Sequence, residues 1–321
     1  MKPLRFVPDN TNIKFMKVAR PGFIASIGAV LASIVLFFTV SLNYGIDFTG
    51  GTEILVRPTA ENAQTLSIDE MRGIVGGLGL GSTELQEFGT DGDVAIRIGL
   101  QDGGEEAQQA AVAKVREAFG ERVEYRAVNS LGSKVSGELA RDGLLAILLS
   151  FVAIMIYIWL RFEWQFAIGT VATLVHDVAL TVGLLCILRV QFDLTSIAAI
   201  LTIVGYSLND TVVVFDRFRE NLRKYKKMPF DEMVDMSLNQ TLPRTLMTSI
   251  STWVALGALY VFGGEVLRGF TFIMIFGVLV GTYSSIFIGA PLLSYMGAYV
   301  DRAPPSSGVP EPQVEADGAA N

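Results

Sequence analysis

Six stretches of this chain run for about twenty residues or more with almost no charge, and no soluble domain can be built around them. The first, Phe23 to Leu42, carries no charged residue. The others are Gly143 to Leu160, Trp164 to Leu188, Leu194 to Phe215, Thr245 to Gly264 and Gly269 to Val300. A helix of about 20 apolar residues crosses the hydrocarbon core of a bilayer. Composition agrees: of 321 residues 51% are hydrophobic and 18% charged, with a mean hydropathy of +0.45. The expected fold class is therefore an α-helical polytopic membrane protein with six transmembrane helices. The last run is longer than a bilayer needs, and Pro291 is expected to kink or end it.

Between the first and second runs the composition changes. Residues 43–142 hold 9 Lys/Arg and 17 Asp/Glu, and nothing among them could span a membrane. Thr52–Arg57 alternates as a strand, and Ser67 with Glu70 makes a capping box for a helix to about Leu78. Thr83–Phe88 and Asp93–Ile98 read as strands joined by the turn residues Gly89-Thr-Asp-Gly92. Glu105–Phe119 carries Val112, Val115 and Phe119 on one helical face, and Arg122–Val128 alternates again. The order β-α-β-β-α-β predicts an α+β ferredoxin-like domain.

Charge placement orients the chain. Residues 1–20 carry Lys2, Arg5, Lys14, Lys17 and Arg20 against Asp9, and residues 216–245 hold seven basic side chains against five acidic. Six spans put both of these segments on one face, the cytoplasmic one by the positive-inside rule, and the acidic domain on the other. The expected division is a cytoplasmic N-terminus over 1–20, a first transmembrane helix over 21–42 and a periplasmic domain over 43–142. A five-helix transmembrane domain over 143–300 and a disordered cytoplasmic tail over 301–321 complete it. The first run is too long for a cleaved signal peptide and no small-residue cleavage site follows it. Cys186 is the only cysteine, so no internal disulfide forms. Neither a phosphate-cradling glycine motif nor a basic run suited to nucleic acid is present, and one histidine is too little for a metal site. No enzyme activity and no cofactor are expected.

Ionisable side chains inside the runs are the candidate site. Asn209 and Asp210 lie in the fourth run, where a buried aspartate costs roughly 2.5–3.5 kcal/mol on insertion scales. Thr202, Tyr206, Asp210, Val213 and Arg217 share one side of that helix. Pro243 suits the first turn of the fifth helix, which would start Arg244 at the membrane surface, within reach of Asp210. Arg244 reads equally well as one more positive-inside residue. His176 and Asp177 sit in the third run. Adjacent helical residues point about 100° apart, so no mutual pair is expected, and Asp177 reads as a functional carboxylate or as a hydrogen-bonding tie between helices. Gly277 and Gly281 suit a helix-packing face. Gly50 and Gly51 allow a tight turn, a hinge or junction where the first span hands over to the first strand.

Three segments carry a resemblance. Gly45-Ile-Asp-Phe-Thr-Gly-Gly51, Ser207-Leu-Asn-Asp-Thr-Val-Val-Val-Phe-Asp-Arg217 and Pro243-Arg-Thr-Leu-Met-Thr-Ser249 resemble the SecF family. SecF is the smaller half of the bacterial protein-export component SecDF, a relative of the RND transporters. The likeness covers about residues 15–300. It implies half of an RND-like bundle, a multi-pass place in the bacterial inner membrane, and SecD, the SecYEG channel, YajC and the translocating polypeptide as partners. It also implies a proton relay at Asp210 with Arg244, supported by Asn209, Asp177 and His176, by which the proton motive force promotes export. Ser130-Leu-Gly-Ser133 departs from the Gly-Pro expected before the second span, which bears on the hinge. A passive scaffold stabilising the channel, or half of a small-molecule RND exporter, are the competing functions. Sodium in place of protons stays open.

Overall fold

The computed structural model describes residues 11–62, 66–88, 92–162 and 164–295. The turn expected at Gly89–Gly92 falls mostly outside these residues. So do Lys2, Arg5 and Asp9, Glu163 of the loop before the third span, the last five residues of the sixth run, and the tail from Asp301. Six described helices are long and apolar enough to cross a membrane, and the chain is a multi-pass membrane protein.

The first helix, α1 (Phe15–Thr39), begins ahead of the uncharged run because Phe15 and Ala19 are buried. It stops short of Leu42, with Ser41 at φ 62°. A short strand β1 (Asn43–Tyr44) and one helical turn α2 (Ile46–Thr49) lead through Gly50 and Gly51 into β2 (Gly51–Pro58). Both glycines have left-handed φ, +69° and +109°, and a Cβ on Gly51 would overlap the carbonyl oxygen of Ile98. Only glycine makes this turn without strain.

The domain continues with α3 (Ile68–Gly76), β3 (Thr83–Phe88), β4 (Asp93–Ile98), α4 (Gly104–Phe119) and β5 (Val123–Leu131). Ser67 caps α3 by accepting the Glu70 N–H, as its sequence foretells. All pairings are antiparallel and the sheet order is β3-β4-β2-β5. Counting only the domain's four strands, that is the 2-3-1-4 order of a ferredoxin-like fold. Ile54, Val56, Val94, Ile96 and Ile98 face Met71, Val75, Val115 and Phe119 from the two helices. On the other sheet face an ion pair joins Arg57 and Asp93.

The membrane part adds α5 (Ser133–Arg161), α6 (Trp164–Leu188), strand β6 (Gln191–Phe192), α7 (Leu194–Lys224), α8 (Phe230–Phe262) and α9 (Glu265–Ser284). A π-helical turn, Ser285–Gly289, joins α9 to α10 (Ala290–Tyr295). It lies directly ahead of Pro291, which has no N–H to donate and would crowd the carbonyl of Phe287 in a regular helix. Two expectations are corrected here, for Pro243 and for Arg244. Pro243 lies inside α8 rather than opening it, because Met233, Val234, Ser237 and Leu238 bury against the bundle and carry the helix through. Arg244 is therefore mid-helix. The turn before the sixth span is at Gly263–Gly264, and Glu265 to Arg268 belongs to α9. α7 occupies the middle, packed on α6, α8 and α9.

Candidate functional site

α7 begins with a capping box. The Asp193 carboxylate accepts the Ser196 N–H at 2.8 Å and the Ser196 hydroxyl accepts the Asp193 N–H at 3.2 Å. From there the helix buries Ile203, Ser207, Asp210, Thr211, Val214 and Phe218. Small residues let α9 approach this face. A Cβ on Gly277 would run into Ile203, and one on Gly281 would come 3.1 Å from Ser207 Cβ. The expected packing role of this glycine pair is therefore what the structure contains.

Two polar networks cross the bundle at this level. In one, the Tyr206 hydroxyl donates to Ser249 Oγ at 3.2 Å, and Ser249 shares a 2.7 Å hydrogen bond with Thr282. That links α7, α8 and α9. The other centres on Asp177, which is fully buried. Its Oδ2 accepts from the Ser207 hydroxyl at 2.6 Å and the Ser284 hydroxyl at 2.8 Å, linking α6, α7 and α9. Its Oδ1 lies 2.9 Å from His176 Nδ1. The two adjacent side chains do pair, against expectation. The serines fix the carboxylate in the bundle, and the imidazole of the preceding residue lies against it. His176 Nε2 is buried without a hydrogen-bond partner.

Asp210 lies one turn along α7 from Ser207 and is 2% exposed. Its Oδ2 has no hydrogen-bond partner, and neither does the buried hydroxyl of Thr245 on α8. Arg244 is exposed, and its positive charge acts on Asp210 without forming an ion pair with it. A carboxyl in this setting is neutral or charged according to how closely a cation and water approach. Asn209 points elsewhere: it is exposed and joins neither network. Thr202 is also exposed and bonds back to Ala198 O at 2.7 Å, so its hydroxyl is used within its own helix. Gly50 and Gly51 lie at the domain root, away from these groups. Ser207, Ser249, Thr282 and Ser284 escaped the sequence reading. Serines and threonines are common in apolar helices, where their hydroxyls usually bond to the preceding turn, and only the packing sets these four apart.

The family described as "Protein export membrane protein SecD/SecF, C-terminal" matches residues 111–299, and the "SecD/SecF GG Motif" matches residues 35–60. A protein translocase subunit SecF of Cereibacter sphaeroides is 45% identical over 311 residues, covering 94% of each chain. Its counterpart in Rickettsia akari is 44% identical over 296 residues, covering 91% of this chain and 94% of its own. Among solved structures, SecDF from Thermus thermophilus, described as a translocon-associated membrane protein, superposes with a TM-score of 0.82 at 31% identity over 91% of this chain. A super-membrane-facing form of SecDF matches with a TM-score of 0.67 at the same identity. The chain spans 40% of the length of either SecDF chain. With a family match over more than half its length and relatives at 44–45% identity across almost all of it, the chain belongs to the SecF family of protein translocase subunits.

Proposed function

We propose that this chain pairs with SecD in the bacterial inner membrane and uses the proton motive force to promote export of polypeptides through the SecYEG channel. Both termini face the cytoplasm and the ferredoxin-like domain faces the periplasm. Asp210 takes up and releases the proton, and Arg244 moves its charge toward or away from the carboxylate during the cycle. The observation that carries this reading is the Asp210 carboxyl, buried at the centre of α7 with one oxygen left without a donor. A scaffold gains nothing from a carboxyl left in that condition, since each such group costs free energy. A gradient supplies about 2.3 kcal/mol per charge for each 100 mV, enough to bias a two-state movement.

Asp210→Asn keeps size and hydrogen bonding but cannot ionise. Reconstituted with SecD and the channel, it is expected to assemble normally and to lose gradient-dependent stimulation of export. Full stimulation in this variant would leave the scaffold as the better reading.

A further inference from the structure

Hydrogen bonds at the base of the ferredoxin-like domain converge on the start of α7. β1 pairs in parallel with β6, and the Gly45 N–H donates to Phe192 O at 2.8 Å. The Phe192 ring stacks on Phe48 with centroids 5.4 Å apart. Arg189 donates to the carbonyls of Val40 and Ser41 at the end of α1, and Asn43 donates to Arg189 O at 2.9 Å. On the sheet, the buried Arg97 donates to Glu53 at 2.9 Å and to Asn43 at 3.1 Å. Glu53 in turn accepts from Gln191 at 3.1 Å.

The remaining bond of this clasp reaches α7 itself. Asp47 Oδ2, from the turn between α1 and the domain, accepts the backbone N–H of Leu194 at 3.0 Å. Leu194 is the first residue of α7, and its N–H has no acceptor within the helix. A carboxylate there is also favoured by the positive end of the helix dipole. The relay helix is thus capped twice, by its own Asp193 and by a residue of the domain's root. Beside the clasp, a cleft of about 1030 Å³ separates the outer sheet face, at Leu55 and Ala127, from Tyr260 and Phe272 at the ends of α8 and α9. The domain is held at one place and spaced from the bundle at the other.

We infer that Asp47 is a positioning residue that couples α7 to the domain, so that a shift of α7 on protonation at Asp210 is delivered to the domain through the Asp47–Leu194 bond. Asp210 lies about 24 Å along the helix from Leu194, at 1.5 Å per residue, and a packed helix carries displacement over that length as a rod. The inference rests on the reading of Asp210 given above. Asp47 touches no proton itself. Its loss therefore separates proton movement from domain movement, which a defect in folding would not do.

The test uses the full chain with SecD in vesicles, in a Cys186→Ser background carrying fluorophores at Glu105→Cys on α4 and Phe262→Cys at the end of α8. Proton flux and the change in energy transfer on imposing a gradient are read on the same vesicles. Asp47→Ala is expected to keep wild-type flux while its gradient-driven change in transfer falls about fivefold, the fold-change that losing one capping bond produces in a two-state equilibrium. Asp47→Asn retains an acceptor oxygen and should stay within about twofold of wild type. Asp47→Leu, which keeps the side chain's bulk but offers no acceptor to the Leu194 N–H, provides the same split if the alanine variant at Asp47 does not assemble. If Asp47→Ala and Asp47→Leu follow the gradient as the wild type does, the coupling is overturned while the reading of Asp210 stands. If the wild-type domain ignores the gradient while flux persists, the coupling alone is overturned; if Asp210→Asn carries the same flux as the wild type, both are overturned.

Discussion

Two aspartates lie buried in neighbouring helices of this bundle, and their oxygens are treated differently. Asp177 has both oxygens occupied, by two serine hydroxyls and an imidazole, each such hydrogen bond contributing about 0.5–1.5 kcal/mol. Asp210 has an oxygen with no donor. The first arrangement ties helices together, and the second leaves the carboxyl untied at Oδ2. Asp177→Leu would strand the Ser207 hydroxyl and the His176 ring, while Ser284 falls back on Gly281 O at 3.1 Å. A loss of about 1–3 kcal/mol for each stranded group is expected, read as a lowered unfolding midpoint of the purified protein. Asp177→Asn keeps one acceptor and should fall between Asp177→Leu and the wild type. Asp210→Asn should leave the midpoint close to the wild type, having no bond to lose at Oδ2; a larger drop there than at Asp177→Leu would refute this division of roles. The sequence already sets Asp210 apart as the relay candidate and leaves Asp177 open between a functional carboxylate and a tie between helices. What distinguishes them is Ser207 and Ser284, two serines brought to Asp177 from different helices by packing.

At the scale of helices, the uncharged runs located the spans but not their ends. Trp164–Leu188 needed no revision, since short polar loops bound it on both sides. α7 and α8 run well beyond their apolar stretches, to Lys224 and back to Phe230. There the buried faces are mixed, with Asn221 donating to Ser237 at 2.8 Å and to Gln240 at 2.9 Å. Hydropathy does not register a helix held by such contacts, and this is why Pro243 looked like a beginning. The Gly277 and Gly281 pair was legible because small residues four apart have one principal use in a membrane helix. Gly277 faces three side-chain carbons of Ile203, so even a methyl group must displace that side chain. Gly277→Leu is expected to cost about 1–3 kcal/mol by overpacking and to push α9 away from α7. Gly281→Ala asks only a few tenths of an ångström of Ser207 and should be milder. The unfolding midpoints of the two variants give the order, and an undisturbed Gly277→Leu protein would show that α7 and α9 do not depend on this contact.

For the whole molecule, the division into a ferredoxin-like domain and a six-helix bundle was carried by composition and strand order, because charge density separates the two parts. The clasp between them was not, since Asp47, Asn43 and Gln191 are unremarkable polar residues until the turn and the α6–α7 loop meet. The same clasp fixes which end of the bundle bears the domain. α7 starts beside Asp47 and runs 31 residues, about 46 Å at 1.5 Å per residue, before reaching the loop that contains Lys226. That length exceeds the roughly 30 Å hydrocarbon core, so the domain and the basic loop emerge at opposite surfaces. The basic loop and the basic start of α1, with Lys14, Lys17 and Arg20, carry the charge that the positive-inside rule expects of the cytoplasmic face, the orientation proposed above. Glu105 and Lys226 are both exposed. Single cysteines at these positions in a Cys186→Ser background should react with an impermeant maleimide from opposite faces in sealed vesicles, Glu105→Cys from the periplasmic side and Lys226→Cys from the cytoplasmic side. Reaction of both from one face would mean that α7 does not cross the membrane, and the proton path through Asp210 would go with it.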